Sequence, residues 1–203
     1  MTRLLKGTTA VLLVLLCGCV NLGQGTSPSR HYLIPSLADR GIAPRPERKP
    51  RVRLTLLPVK AAAYLDRQEL VRRLEANRIE LLPFDRWAEP PTENLQRVVA
   101  ENLVRLADDI VVASDGELQL AMVVERLEGR KQGALMQLAW RLFRRQTGED
   151  LAGGVFRREL PLPKAEAGQM VAAYGEMAEA FCRELLARLA TIPQAVRQKE
   201  GIR

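Results

Sequence analysis

The sequence carries one histidine, His31, in 203 residues. Imidazole is the usual acid, base and metal ligand near neutral pH, so triad-type and histidine-metal chemistry lack their ordinary tool. His31 itself stands in a stretch rich in Ser, Pro and Arg and reads as an incidental surface or linker residue. Aromatic residues make up only 4% of the chain, which leaves the core mostly to Leu, Val and Ala. No Gly-rich loop ending in Lys-Ser or Lys-Thr is present, so the chain does not hydrolyse nucleotide by that route. The 31 basic residues exceed the 24 acidic ones, but the arginines are scattered, without a dense run and without interleaved aromatics. That pattern describes a solvated basic surface rather than a nucleic-acid site. Three cysteines, with no second Cys pair and no His cluster, fall short of a metal centre. The expectation is a chain with no catalytic residues, no bound cofactor, no metal and no nucleic-acid partner.

What is present begins at the N-terminus. Arg3 and Lys6 precede an uncharged run, Gly7 to Gly18. As a helix that run would span about 18 Å, too short for a hydrocarbon core of roughly 30 Å. A basic start, a short apolar middle and a small residue before a cut is the layout of a secretory signal. Its end, Leu16-Cys17-Gly18-Cys19, resembles the bacterial lipobox. The resemblance implies cleavage after Gly18, a diacylglycerol on the Cys19 thiol and an acyl chain on the new amino group. Cys17, at the small penultimate position, leaves with the signal. Val20, rather than Asp, follows the modified cysteine, which on the lipoprotein sorting rule implies the outer membrane, facing the periplasm. Removing Arg3 and Lys6 lowers the formal charge from +7 to +5. The third cysteine, Cys182, lies on an apolar helical face and is expected to be a buried free thiol, so no intramolecular disulfide is expected.

The whole sequence is 47% apolar and 27% charged, a globular balance. Asn21 to about Pro50 reads as a tether rich in Gly, Ser, Pro and Arg, interrupted by a short strand at Tyr32-Leu33-Ile34. Arg51 to Val59 alternates with period two and predicts a half-buried strand. Asp66 followed by Glu69, flanked by Leu65 and Leu70, has the form of a capping box with a hydrophobic staple; it predicts a helix from Arg67 to about Ala76. Strand "RIELLPF" follows. Pro90-Pro91 breaks regular structure, Thr92 is placed to cap the next helix, and Leu95, Val98, Val99, Asn102, Leu103 and Leu106 share its inner face. After a short strand "IVVA", three longer segments, Glu117–Arg130, Gly133–Thr147 and Val155–Pro161, read as an antiparallel meander. A last helix, Gly168 to about Ala190, carries Val171, Tyr174, Ala178, Phe181, Leu185 and Leu189 as one stripe. The fold class is α+β: a mixed, largely antiparallel sheet with helices packed on one face. The expected organisation is a signal peptide over 1–18, a lipidated N-terminus, tether and first strand over 19–50, the α+β domain over 51–192, and a charged tail over 193–203.

Two segments carry a sharper signal. "LLPVKAAAYLDRQELVRRLEANRIELLPFDRWAEP" contains Tyr64-Leu65-Asp66-Arg67 and Trp87-Ala88-Glu89-Pro90, and the helix "NLQRVVAENLVRL" follows directly. This is similar to the ABC-type transport auxiliary lipoprotein family, the PqiC-like proteins, whose "YLDRP" and "WAEP" segments stand at this separation. Here Gln68 replaces the usual Pro. The resemblance implies an outer-membrane lipoprotein that serves an MCE-domain transport system, moving lipid between membranes and supporting envelope integrity, with ATPase and permease as separate proteins. Its partners would be the outer membrane, through the anchor, and an MCE-domain protein, with assembly into homo-oligomers also expected.

Each motif residue also has a local reading. Trp87 is either a partner contact or a side chain packed over the core edge, and packing is the default for a Trp in a Pro-rich loop. Glu89 either meets a partner or pairs within its loop. Tyr64, Asp66 and Arg67 find sufficient reason in starting a helix. Met122, Met136, Met170 and Met177 default to core. Two rival functions remain: a structural envelope lipoprotein that assembles with envelope proteins without handling lipid, and a periplasmic hydrolase, for which no nucleophile motif is present.

Overall fold

The computed structural model describes residues 28–45, 52–164 and 166–192. The signal peptide, Gly18, Cys19 and the tail over 193–203 lie outside them. The chain forms strands β1 (Arg30–Tyr32), β2 (Val52–Leu56), β3 (Lys60–Ala61), β4 (Glu69–Glu75) and β5 (Arg78–Trp87), then helix α1 (Pro91–Leu106), strands β6 (Ile110–Val112), β7 (Leu118–Arg130), β8 (Gly133–Arg144) and β9 (Asp150–Pro161), and helix α2 (Ala167–Thr191). A single 3-10 turn, Ala63–Leu65, sits between β3 and β4.

All nine strands join one mixed sheet. The long ladders are antiparallel: β4 with β5, β7 with β8, and β8 with β9. The parallel pairings are short. β7 organises the sheet, because its one edge pairs with β8 throughout while β2, β3 and β4 dock in turn along the other, at Leu118–Leu120, Val123–Val124 and Gly129. Outward from these, β6 lies parallel to β2, and β1 lies parallel to β5.

The meander follows the hydrophobic alternation. Leu118, Leu120, Met122 and Val124 of β7 and Ala134, Met136, Leu138, Trp140 and Leu142 of β8 are buried in one cluster with both helices. The α2 stripe expected from the sequence is buried from Val171 to Leu189, and Phe181 packs edge-on against Trp140 and Phe156 at 6.1 and 5.5 Å between ring centroids. Cys182 is a buried free thiol, with its pKa raised by burial. The four expected core methionines are all buried.

Three local expectations are corrected. The helix expected from Arg67 to Ala76 is strand β4, paired to β5 from Glu69 to Glu75. Of the supposed capping box, Asp66 ends the 3-10 turn rather than capping a helix, and Glu69 opens β4. The ladder with β5, with one further pairing to β7, outweighs a propensity that is weak per residue. Pro91, expected to break structure, begins α1 at a position where a missing N–H costs nothing, with Pro90 rather than Thr92 at the cap. Finally, β9 starts at Asp150 rather than Val155, which shortens the connecting turn.

Part of the segment expected as tether is also folded. Ile34, Ser36 and Leu37 are buried. The backbone N–H groups of Ile34 and Leu37 donate to the buried side-chain oxygens of Asn94 and Asn102 on α1, at 2.6 and 2.7 Å. On the other side, α2 approaches so closely at Gly175 that a Cβ there would stand 2.6 Å from the Pro35 carbonyl oxygen. Gly175→Ala is therefore expected to destabilise the domain by about 1–3 kcal/mol, although Ala in a helix interior ordinarily gains about 1 kcal/mol over Gly. Urea unfolding of the variant reads the sign, and a gain in stability would contradict the close packing.

Candidate functional site

The two motif segments meet. Asp66, Arg67 and Gln68 form one wall, and Trp87 to Pro91 the other, of a cavity of about 230 Å³. The backbone brings them together: the Trp87 N–H donates to the Gln68 carbonyl at 2.7 Å, and the Ala88 N–H to the Tyr32 carbonyl at 3.0 Å. The first wall is held by the Arg67 Nε, which donates to the Tyr64 carbonyl at 2.7 Å.

The individual side chains divide between the cavity and its foundations. Trp87 is 7% exposed and packs against Tyr174 of α2 at 6.2 Å between ring centroids, so it belongs to the core edge. Leu65 is buried. Glu89 accepts from Asn94 Nδ2 at 2.7 Å and from Arg97 at 2.8 Å, so its partners stand on α1 rather than within its loop. Asn94 thereby joins the motif segment to Ile34. Asp66 and Pro90 remain exposed on the rim, with Arg67 half-buried.

Tyr64 points away from the cavity, to a buried ion cluster that the sequence reading missed. Its hydroxyl donates to Glu128 Oε1 at 2.5 Å and lies 3.2 Å from the Glu125 carbonyl. Arg73 on β4 forks onto the same carboxylate, Nε to Oε2 at 2.7 Å and a terminal nitrogen to Oε1 at 2.6 Å. Glu128 has no exposure. Burial pushes its carboxyl up, but the Arg73 fork and the Tyr64 hydroxyl outweigh burial and hold it below the usual value. Burial and the neighbouring carboxylate push the Tyr64 phenol up to about 12. The available signal was a Glu set between Leu127 and Gly129 inside a long β segment. A second carboxylate, Asp85, ties β1 to β5 by accepting Arg30 at 2.8 and 3.0 Å and Tyr32 at 3.0 Å. Among the described residues no group of three or more His, Cys, Asp or Glu is placed to hold a metal.

The family model for the ABC-type transport auxiliary lipoprotein component matches residues 33–185. Two crystal structures share the fold at a TM-score of 0.64. One is of an uncharacterized protein, 20% identical, which covers 81% of this chain and 100% of its own. The other is of protein XCC0632 from Xanthomonas campestris, 21% identical, covering 77% of this chain and 92% of its own. No curated protein matches the sequence.

Breaking the buried cluster should be costly, because removing one partner leaves the other charge without compensation. Glu128→Gln is expected to lower stability by about 3 kcal/mol and Tyr64→Phe by about 1 kcal/mol, read by urea unfolding near neutral pH. The pH dependence has a definite sign. The folded carboxyl titrates below its ordinary value of 4.5, so its stabilisation is full above that pH and is lost as pH falls through the lower folded value. Glu128→Gln should flatten the acid limb of stability over that window. An unchanged limb would show that the carboxylate is not ionised in the folded protein.

Proposed function

Because this chain belongs to the ABC-type transport auxiliary lipoprotein component family, we propose that it is a lipid-anchored docking subunit for an MCE-domain transporter that moves lipid between the two membranes. The anchor is the modified Cys19, cleaved after Gly18, and the address is the periplasmic face of the outer membrane. The protein binds and positions, and carries no catalytic step of its own; ATP hydrolysis belongs to a separate subunit.

The observation that carries this reading is the convergence, on one surface cavity, of the two segments that resemble motifs of the family. Their side chains are not free for chemistry: Trp87 packs on Tyr174, Glu89 is held by Asn94 and Arg97, and Tyr64 is held by Glu128. What the cavity offers outward is a rigid rim with Asp66, Arg67 and Pro90. A rim fixed from beneath loses little conformational freedom on contact, which suits docking.

Membrane fractionation of the full-length protein tests the anchor. Wild type should sediment with the outer membrane and take up labelled acyl chains, whereas Cys19→Ala should lose both. Recovery of Cys19→Ala in the outer-membrane fraction would overturn the anchor. Affinity capture in native detergent tests the partner: an MCE-domain protein should co-purify, and Asp66→Arg should reduce its recovery at least about tenfold if the rim is the contact, a loss of roughly 1.4 kcal/mol. Capture of other envelope proteins without any MCE-domain protein would favour the structural-lipoprotein reading.

A further inference from the structure

The basic residues that look scattered along the chain are gathered by the fold. The tip of the β4–β5 hairpin, the tip of the β7–β8 hairpin and the chain entering α2 meet around a cleft of about 560 Å³. Its walls carry Arg72, Arg73, Arg78, Arg130, Lys131 and Lys164, against one carboxylate, Glu166. Four of the six cations already have carboxylate partners: Arg72 with Glu80, Arg73 with Glu128, Arg78 with Glu75 and, at longer range, Arg130 with Glu159. The surplus lies on the two lysines. Lys131 and Lys164 are exposed and form no ion pair among the described residues. The Nε of Arg130 is buried without a hydrogen-bond partner, with Glu159 Oε1 3.7 Å away.

Two further features favour an anion here. The N-terminus of α2 borders the cleft at Glu166, makes no side-chain cap bond and has no acidic residue in its first turn. Its backbone N–H groups and the positive end of its dipole therefore add to the field of the cations. On the rim, Leu74 is 44% exposed, an apolar side chain beside a cluster of charges. A phosphate with an acyl chain attached satisfies both.

The location decides which phosphate. β1 runs parallel to β5, with Arg30 opposite Asp85. The chain that reaches Arg30 therefore arrives from the side where β5 begins, at Arg78, one of the cleft residues. The start of α2 also stands beside β1, where a Cβ on Gly168 would lie 3.8 Å from the Tyr32 ring. Cys19 is nine residues ahead of Pro28, a reach of at most about 30 Å. We propose that this cleft binds the phosphate of an anionic phospholipid headgroup at the membrane surface to which the anchor holds the protein. The membrane part of the proposal rests on the lipoprotein reading above.

Full-length protein in a non-ionic detergent, titrated calorimetrically with dihexanoyl phosphatidylglycerol, tests it. Saturable binding is expected, weakened about tenfold in Lys131→Gln/Lys164→Gln, since each charged donor lost removes on the order of a charge-assisted hydrogen bond. Both side chains are exposed, so the thermal melting of the double variant should match wild type. Arg188→Gln, at the far end of α2, should bind as wild type does. Inorganic phosphate should bind more weakly and dihexanoyl phosphatidylcholine more weakly still. Absence of saturable binding, an unchanged double variant, or an equal loss in Arg188→Gln would overturn the site. Inorganic phosphate binding as tightly as the lipid would overturn the headgroup assignment. None of these outcomes depends on Cys19 fractionation or on the MCE partner, so failure here and failure of the docking role are separable.

Discussion

The Glu128 carboxylate lies without solvent exposure in the longest strand of the sheet, where an unpaired charge would cost several kcal/mol. That cost shapes the neighbourhood. Two partners have to arrive from elsewhere in the chain, and they come from consecutive pieces of it: Tyr64 from the 3-10 turn and Arg73 from β4. The backbone ladder between β4 and β7 is minimal, a single pairing of Arg72 with Gly129, so the ion cluster is a principal tie between the β4–β5 hairpin and the central strand. The irregularity in the β7–β8 ladder at Glu125 belongs to the same arrangement, because the carbonyl of that residue faces the Tyr64 hydroxyl. By fixing the 3-10 turn, the cluster also fixes the residues that follow it, which form the first wall of the motif cavity.

This long-range requirement explains where sequence reasoning worked and where it failed. The meander and α2 were legible because their hydrophobic periods are long and lie within one element; the α2 stripe and the β7 and β8 alternation bury as written. The segment from Glu69 to Glu75 was not legible. Its Leu70-Val71 pair fits a strand or a helix equally, and the Asp66–Glu69 spacing imitates a capping box. What selects the strand is Arg73 meeting a carboxylate 55 residues away and a ladder on β5, neither of which is visible in a local window. At the motif cavity, the participating residues could be named from the sequence, but not their division of labour. Trp87 packs on the core edge, the default reading of the sequence, whereas Tyr64 serves the Glu128 cluster rather than a helix start, and the rim is left to Asp66, Arg67, Gln68, Ala88 and Pro90.

The strap that follows β1, Ile34 to Leu37, shows a second case of a polar group placed for a distant partner. Asn94 and Asn102 stand on the apolar face of α1, and both are fully buried. An amide in that position is costly unless its hydrogen bonds are met. Each side-chain oxygen accepts a backbone N–H from the strap, at Ile34 and Leu37, although the Asn102 Nδ2 is left without a partner among the described residues. Asn94 also donates to Glu89. One buried side chain thus joins the strap, α1 and the motif segment, so the position of the chain leaving toward the N-terminus is coupled to the position of the cavity wall.

These couplings give the molecule a direction. The motif cavity lies where β5 ends, at Trp87, and the basic cleft lies where β5 begins, at Arg78, roughly 20 Å apart measured along the paired strand β4. The chain enters β1 from the Arg78 side. If the anchor holds that end to a bilayer, the parallel pairing of β1 with β5 turns the cavity toward the periplasm, away from the lipid surface and toward any subunit that approaches from the inner membrane. A flexible tether alone leaves a domain free to tumble at the surface. Cations surrounding a headgroup at the tethered end would remove that freedom, and they act at the end opposite the motif rim, so membrane contact and partner docking do not compete for the same residues.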